Sequence, residues 1–393
     1  RPTTRPRWAP PSEASCTDRV EGVLAAVFHG PDDLRLEERP TPSPGPGELL
    51  VKVGADTICG TDLRILRGEK TSYVQLPVVM GHEVAGRVAE VGEGVDRYTP
   101  GDRVGHEIAG HVAEAGRGVE GYDPGQPVAI TPVIPCGHCW ECTHGMENIC
   151  AAQHIVGYNV DGGLAEHILV PAGAVSAGNV VKASVDLPSE QLALAEPLSC
   201  VVNGQRRADI RAGSNVLIMG AGPIGLFHLQ LARLSGADNV IVSEPSGVRR
   251  AHAERLGATA AVDPTTEDLT EPTMDATGGV GTDASIVCIG IPELVNQAVA
   301  LTRPGGTVNI FAGLKGRGWT ELDGNRIHYK ELVVTGTSNS RRAEYALALR
   351  MIETGRIDTA SMVTHRFPLG SVVEAIQTVT DREAVKVAVL PGG

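Results

Sequence analysis

Two domains, one β-rich and one a doubly wound parallel α/β sheet, are what this 393-residue sequence predicts. From residue 20 to 191, runs such as ELLVKVGA, VAGRVAEVG and GLAEHILVPA alternate apolar with polar or small residues between Gly/Pro turns, as half-buried strands do. From 192 to 337, short apolar strands alternate with helices, which predicts a parallel sheet covered on both faces. The remaining stretch, 338–393, is expected to return to the first domain, so that the α/β unit is an insertion.

Along the second unit, SNVLIMG reads as a buried strand, PIGLFHLQLARLSGA as a helix and NVIVSEP as a second strand. GVRRAHAERLGA continues as a helix, ASIVCIG as a strand, PELVNQAVALTRPGG as a helix, and TVNIFAG and ELVVTGT as further strands. In the tail, SRRAEYALALRMIETGR and GSVVEAIQTVT have helical periodicity, with MVTHRFPL between them and VKVAVLP last.

Composition narrows the function. The formal net charge is −13 with the acids spread along the chain, so the concentrated basic surface that nucleic acid requires is missing. No apolar run approaches the ~18 residues of a membrane span. Residues 1–19, RPTTRPRWAPPSEASCTDR, lack the apolar stretch of a secretory signal and read as a disordered tail, with a transit peptide as the alternative. Four of the eight cysteines, Cys136, Cys139, Cys142 and Cys150, fall within fifteen residues. In a long chain without a secretory signal this argues for metal rather than disulfides, and for a reducing, cytoplasmic compartment.

Gly220-Ala-Gly222-Pro223-Ile224-Gly225 follows an expected strand and opens an expected helix. Such glycines permit a tight turn and close approach of a pyrophosphate to the N–H groups of the helix start. Glu244 ends the next strand, 24 residues after Gly220, where a carboxylate accepts hydrogen bonds from ribose hydroxyls. NAD is therefore expected ahead of NADP. Arg249, or Arg250 beside it, is the residue type that would accept a 2′-phosphate instead, or else each is a solvated helix residue.

The spacing C-x2-C-x2-C-x7-C over 136–150 supplies four thiolates from one loop, the closed set of a structural zinc. An iron–sulfur cluster is the chemical alternative. Three further segments hold isolated metal-ligand residue types: CGTD with Cys59 and Thr61, GHE with His82 and Glu83, and AEPLSC with Glu196. Singly these also suit a buried thiol, a core histidine and a helix start before Pro197.

Taken with the two motifs above, they make the chain resemble the zinc-dependent medium-chain dehydrogenases of the alcohol dehydrogenase superfamily, in the polyol (sorbitol, galactitol) and threonine dehydrogenase branch. The resemblance runs from about residue 20 to the end. It implies a GroES-like catalytic domain over 20–191 and 338–393, with a structural-zinc lobe at 136–150, and a Rossmann NAD-binding domain over 192–337. It further implies two zincs per chain, the catalytic one held by Cys59, His82, Glu83 and Glu196; Cys200, one helical turn further on, reads as a core thiol, with a substitute ligand as the alternative. Such a zinc acidifies the substrate hydroxyl while hydride passes to the nicotinamide. Thr61 then matches the first hydroxyl of the family's proton relay. Many relatives place a histidine where this chain has Arg64, and a permanently protonated arginine cannot shuttle a proton. Arg64 is left to bind a substrate anion or to stay solvated. A homodimer or homotetramer is implied as well.

Residues 81–104, GHEVAGRVAEVGEGVDRYTPGDRV, repeat at 105–128 as GHEIAGHVAEAGRGVEGYDPGQPV, identical at 15 of 24 positions. The chain thus offers a second ligand pair, His106 and Glu107. Cys59 lies 23 residues before His82, and His106 lies 30 before Cys136, so spacing alone leaves both copies open. LPVVMGHE gives the first copy a Pro-then-apolar approach that the second lacks, which favours His82 and Glu83. In the second copy Pro127 replaces a strand donor. The unused copy is expected as an extra hairpin, at modest entropic cost.

The expected activity is zinc-dependent hydride transfer between NAD and a secondary alcohol of a polyol, cyclitol or sugar-like substrate. A phosphorylated or carboxylated hydroxy compound, suggested by Arg64 and Arg67, and an L-threonine-type substrate are the enzymatic alternatives. A nucleotide-binding scaffold whose duplication has impaired catalysis is the alternative of another kind.

Overall fold

The computed structural model describes residues 22–91, 125–316, 318–382 and 384–392. The N-terminal part contains β1 (Gly22–Gly30), β2 (Asp33–Pro40), β3 (Leu49–Thr57), β4 (Val78–Val79) and β5 (Val84–Val91). It continues through β6 (Pro127–Ile130), β7 (Val133–Ile134), β8 (His154–Ile155), β9 (His167–Val170) and β10 (Val180–Lys182). The α/β part contains β11 (Asn215–Met219), β12 (Asn239–Ser243), β13 (Ala260–Val262), β14 (Thr282–Val287), β15 (Thr302–Ile310) and β16 (Val333–Gly336). β17 (Val363–Pro368) and β18 (Lys386–Leu390) close the chain.

The second sheet runs in the order β13-β12-β11-β14-β15-β16, and every pair in it is parallel. Its central strands read as continuous apolar runs because both faces are covered: Val216, Leu217 and Ile218 are fully buried. Chain order reverses between β11 and β14, and at such a switch point the loops beyond the carboxyl ends of the strands part to leave a crevice.

The tail joins the sheet of the N-terminal part. β18 pairs antiparallel with β3 through Ala388–Thr57 and Val389–Asp56, and it carries β17 beside it. One expected helix is shorter than its sequence pattern: PELVNQAVALTRPGG is helical only over Pro292–Leu301, and Thr302 opens β15. Pro304 cannot donate, and two consecutive glycines after it hold a helix poorly, so TRPGG extends instead.

The repeat is resolved into a composite pair of strands. β5, from the first copy, pairs antiparallel with β6, which begins at the end of the second copy, in the register Val84–Ile130 to Arg87–Pro127. Pro127 stands at the first position of its strand, where a missing N–H is tolerated. On its other edge β6 pairs antiparallel with β10, so the sheet has the head of one copy and the tail of the other. His106 and Glu107 lie outside the described residues.

Candidate active site

At the switch point, β11 ends on the glycine loop. A Cβ on Gly225 would run into the Gly220 carbonyl oxygen, so the helix Pro223–Leu234 packs against its strand only with glycine there. Gly222 precedes that helix and Pro223 occupies its first turn, where its missing N–H costs nothing; Ile224 follows in the same turn. The remaining free N–H groups face the loop and suit a phosphate. Beyond the ends of β14 and β15, Cys288 and Ile289 border Gly220, and Gly290 packs on the Gly313 carbonyl.

Glu244 is buried directly after β12. Its carboxylate accepts from the Ala221 amide at 2.8 Å and the Ser246 amide at 3.0 Å, which locks it beside the glycine loop with lone pairs to spare. Arg250 is committed to Asp263 at 3.0 Å and to the carbonyls of Glu244 and Pro245. Arg249 donates to the Ala384 carbonyl at 2.9 Å, tying the parallel sheet's helical layer to the C-terminal segment, and burial lowers its pKa.

The four cysteines of the 136–150 loop converge with their sulfurs within 4.8 Å of one another, and none forms a disulfide. The Cys136 amide points at the Cys150 sulfur and the Cys139 amide at the Cys136 sulfur, both at 3.4 Å. Burial works against the Cys136 thiolate, yet the His138 and Cys139 amides and the neighbouring thiols outweigh it and bring its pKa down to about 6. Burial and the Cys139 thiol push Cys142 up to about 12. The donor set fits a structural zinc. The lobe is fastened elsewhere: Asn148 donates to the Ser338 carbonyl at 2.9 Å, and Asn339 returns a bond to the Asn148 carbonyl at 3.0 Å.

A second donor set forms where β3 ends. Cys59 precedes the helix Gly60–Leu66, and Asp62 in its first turn accepts from the Cys59 amide at 2.8 Å. The other oxygen of Asp62 meets His82 Nδ1 at 3.1 Å, which leaves Nε2 for a ligand. Gly81 turns the chain into His82 with φ +94°, and a Cβ there would also strike the buried Asp56 carboxyl. The sulfur of Cys59, a ring nitrogen of His82 and a carboxylate oxygen of Glu83 lie within 4.8 Å of one another. Glu83 Oε2 is paired with Lys386 Nζ and the Thr57 hydroxyl, while the buried Oε1 has no partner among the described residues. Three protein ligands of S, N and O type with one position open match a catalytic zinc, and the Asp62–His82 bond is the support such a histidine requires.

Electrostatics agree with a cation at this place. Burial disfavours the imidazolium of His82, but the Asp62 charge and hydrogen bond, with Tyr158 and Cys59, more than offset it and raise its pKa. Glu196, buried at the start of the helix Ala195–Ala208, is pushed up to about 7 by burial and by Glu83, against the pull of His82 and Lys386.

The expected ligands are therefore not all equivalent. Cys59, His82 and Glu83 come together, whereas Glu196 stands outside that trio, with the Cys200 thiol 3.6 Å from its carboxylate. Thr61 sits in the first turn of the Cys59 helix. Sequence reasoning missed Asp62, Lys386 and Tyr158, whose ring meets His82 edge-on with centroids 5.6 Å apart. Asp62 had a signal, an acid three residues after Cys59 at a helix start. The other two had none.

Comparison with known proteins agrees with this geometry. Residues 223–354 match the zinc-binding dehydrogenase family, and the alcohol dehydrogenase GroES-like domain matches twice, over 45–105 and 104–179, meeting at the junction of the repeats. The L-threonine 3-dehydrogenase of Pyrococcus furiosus is 35% identical over 351 residues, 88% of this chain and 92% of that protein. The L-galactonate-5-dehydrogenase of Escherichia coli is 31% identical over 362 residues, 92% and 96% of the two chains. A solved structure from Sinorhizobium meliloti, described as a zinc-binding dehydrogenase bound to NADP, superposes with a TM-score of 0.82 at 33% identity, covering 94% of this chain and all of that one. The fold and site define a dehydrogenase. The chain belongs to the zinc-containing medium-chain dehydrogenases of the alcohol dehydrogenase superfamily.

Proposed function

We propose that this dehydrogenase oxidises a secondary alcohol of a polyol, cyclitol or sugar-like substrate with NAD, and that it holds one catalytic and one structural zinc. The observation that carries this reading is the position of the helix Gly60–Leu66. It starts on Cys59, in the donor trio, and carries Arg64, whose guanidinium lies 3.1 Å from where a Cβ on Gly313 would be, beside the carboxyl ends of the parallel sheet. We take the donor trio and the nucleotide crevice to border one cleft, which this reach of Arg64 supports.

In this assignment Cys59, His82 and Glu83 hold the catalytic zinc with Glu196 next to them, and Cys136, Cys139, Cys142 and Cys150 hold the structural one. Bound zinc supplies Lewis acidity to the substrate hydroxyl, and bound NAD supplies the hydride acceptor. Asp62 fixes the ring of His82, Lys386 and Thr57 fix Glu83, and Thr61 takes the hydroxyl proton toward solvent. Glu244 supports NAD because its carboxylate, already aligned by two amides, receives ribose hydroxyls and repels a 2′-phosphate, while Arg250 is engaged with Asp263. We assign 20–191 with 338–393 to the catalytic domain and 192–337 to the nucleotide domain. L-Threonine and L-galactonate, named for two of the relatives, are secondary alcohols with further polar groups, which supports a polyfunctional substrate.

The test is zinc per chain by elemental analysis, with NAD-linked turnover, for wild type, His82→Ala and His106→Ala. Two zincs falling to one in His82→Ala alone, with loss of turnover, is expected. A wild type with one zinc, or loss confined to His106→Ala, overturns the assignment.

A further inference from the structure

The same helix that starts on Cys59 ends in a pair of cations. The chain turns at Gly68 (φ +69°), and the amides of Glu69 and Lys70 both donate to the Arg64 carbonyl, at 2.8 and 3.1 Å. Lys70 is thereby brought back onto the side of Arg64. Its ammonium lies 5.4 Å from the centroid of the Tyr158 ring, the ring that packs edge-on against His82. Arg64 reaches across to Gly313 at the mouth of the nucleotide crevice. Lys70 thus lies against the ring that backs His82, and Arg64 beside it extends toward the Gly313 loop after the parallel sheet.

Both side chains are partly buried, and among the described residues no carboxylate pairs with either. Burial, with the Arg64 charge beside it, lowers the pKa of Lys70. Elsewhere in the chain Arg35, Arg250, Arg303 and Arg366 each have a carboxylate partner within 3.0 Å. Two like charges held together, part-desolvated and without a counter-ion repel one another, and an anion arriving between them removes that cost. A guanidinium fork with a neighbouring ammonium is a set of donors for a carboxylate.

We propose that Arg64 and Lys70 form the recognition site for a carboxylate on the substrate, so that the substrate is a polyhydroxy acid rather than a neutral polyol. This rests on the cleft being the alcohol-binding site proposed above. It also gives Arg64 a task in the position where a neutral, transferable proton cannot reside.

The experiment uses the zinc-loaded full chain with NADH bound, and two pairs of compounds that differ only in a terminal CH2OH or COO−: galactitol with L-galactonate, and D-sorbitol with D-gluconate. Calorimetric Kd values are compared for wild type, Arg64→Gln and Lys70→Gln, together with the Kd of NADH alone and NAD-linked turnover. In wild type at least one acid is expected to bind tenfold or more tightly than its neutral partner, and each substitution should bring that ratio to within about threefold of unity. Equal affinity within both pairs in wild type overturns the proposal, as does a ratio that survives both substitutions. A matching rise in the Kd of NADH overturns it too, and assigns the cations to the cofactor's pyrophosphate. Turnover of the neutral polyols with no preference for the acids leaves the dehydrogenase reading standing without this inference. Selective binding of an acid without its oxidation supports the anion site and counts against the reaction proposed above.

Discussion

Lys386 Nζ and Glu83 Oε2 form an ion pair entirely inside the protein, with side chains 3% and 0% exposed. It joins the last strand of the chain to the GHE segment, and the Thr57 hydroxyl shares the same carboxylate oxygen. A buried pair of this kind contributes little net stability against an apolar replacement, but removal of one partner strands the other charge. Lys386→Met is expected to destabilise the protein by about 3–5 kcal/mol, and Glu83→Gln in the same background to recover part of that loss. Denaturant melts of the two single variants and the double variant check this. Burial lowers the pKa of Lys386, but Glu83, with Cys59 and Asp62, more than offsets it and raises the value. The pair's contribution is then complete below the unfolded lysine value of about 10.4 and is lost as pH rises through the higher folded value. A wild type whose alkaline stability parallels that of Lys386→Met would contradict the assignment.

The parts of the site that lie within one segment were legible in the sequence, and the parts assembled across segments were not. Gly220–Gly225 and Cys136–Cys150 carry their geometry in local spacing, because one loop or one strand–helix turn supplies all the atoms. Lys386 sits in VKVAVLP, which reads as an apolar strand, and only the β18–β3 register brings it to Glu83. Tyr158 likewise reaches His82 from a loop beyond the cysteine lobe. The choice between the two GHE copies was open for the same reason: the distances to Cys59 and to Cys136 each satisfied one copy. Among the described residues the pairing of β5 with β6 uses the start of the first copy and the end of the second, with His82 beside Cys59.

Glu244 receives the amides of Ala221 and Ser246, so its substitution affects both the ribose contact and the glycine loop. Glu244→Ala should weaken NAD by roughly 10- to 150-fold, the equivalent of about 1.5–3 kcal/mol for a hydrogen bond to a charged group. NADP should weaken less, because the repelling carboxylate leaves at the same time. Fluorescence titration with NADH and NADPH measures the ratio. An unaltered ratio would place cofactor discrimination elsewhere.

Cys142→Ser leaves three thiols where four converge. Loss of one zinc per chain and a lower Tm are expected together, because a structural metal contributes its binding energy to folding. The Asn148–Ser338 and Asn339–Asn148 bonds tie the lobe to the segment at 338–339, so faster hydrogen exchange should extend to that segment. Full zinc content with an unchanged Tm would exclude a structural zinc at these cysteines.

His228 tests the interior of the nucleotide domain away from any metal. It is fully buried in the helix Pro223–Leu234, packs edge-on against Phe311 with centroids 4.8 Å apart, and neither ring nitrogen has a partner among the described residues. Burial alone brings its pKa down to about 3. Because the folded value is depressed, the unfolded chain binds the extra proton as pH falls below about 6.5. Stability from the neutral ring is therefore complete above that value and is lost progressively down to the folded value. Over two pH units inside this window the loss is about 2–3 kcal/mol, at 1.36 kcal/mol per unit. His228→Leu should keep the volume near that of the ring and remove this proton. Urea melts at pH 6 and pH 4 should then show the variant losing about 2–3 kcal/mol less than wild type between the two conditions. Equal losses in the two proteins would mean that His228 finds a proton acceptor, or water, in the folded state.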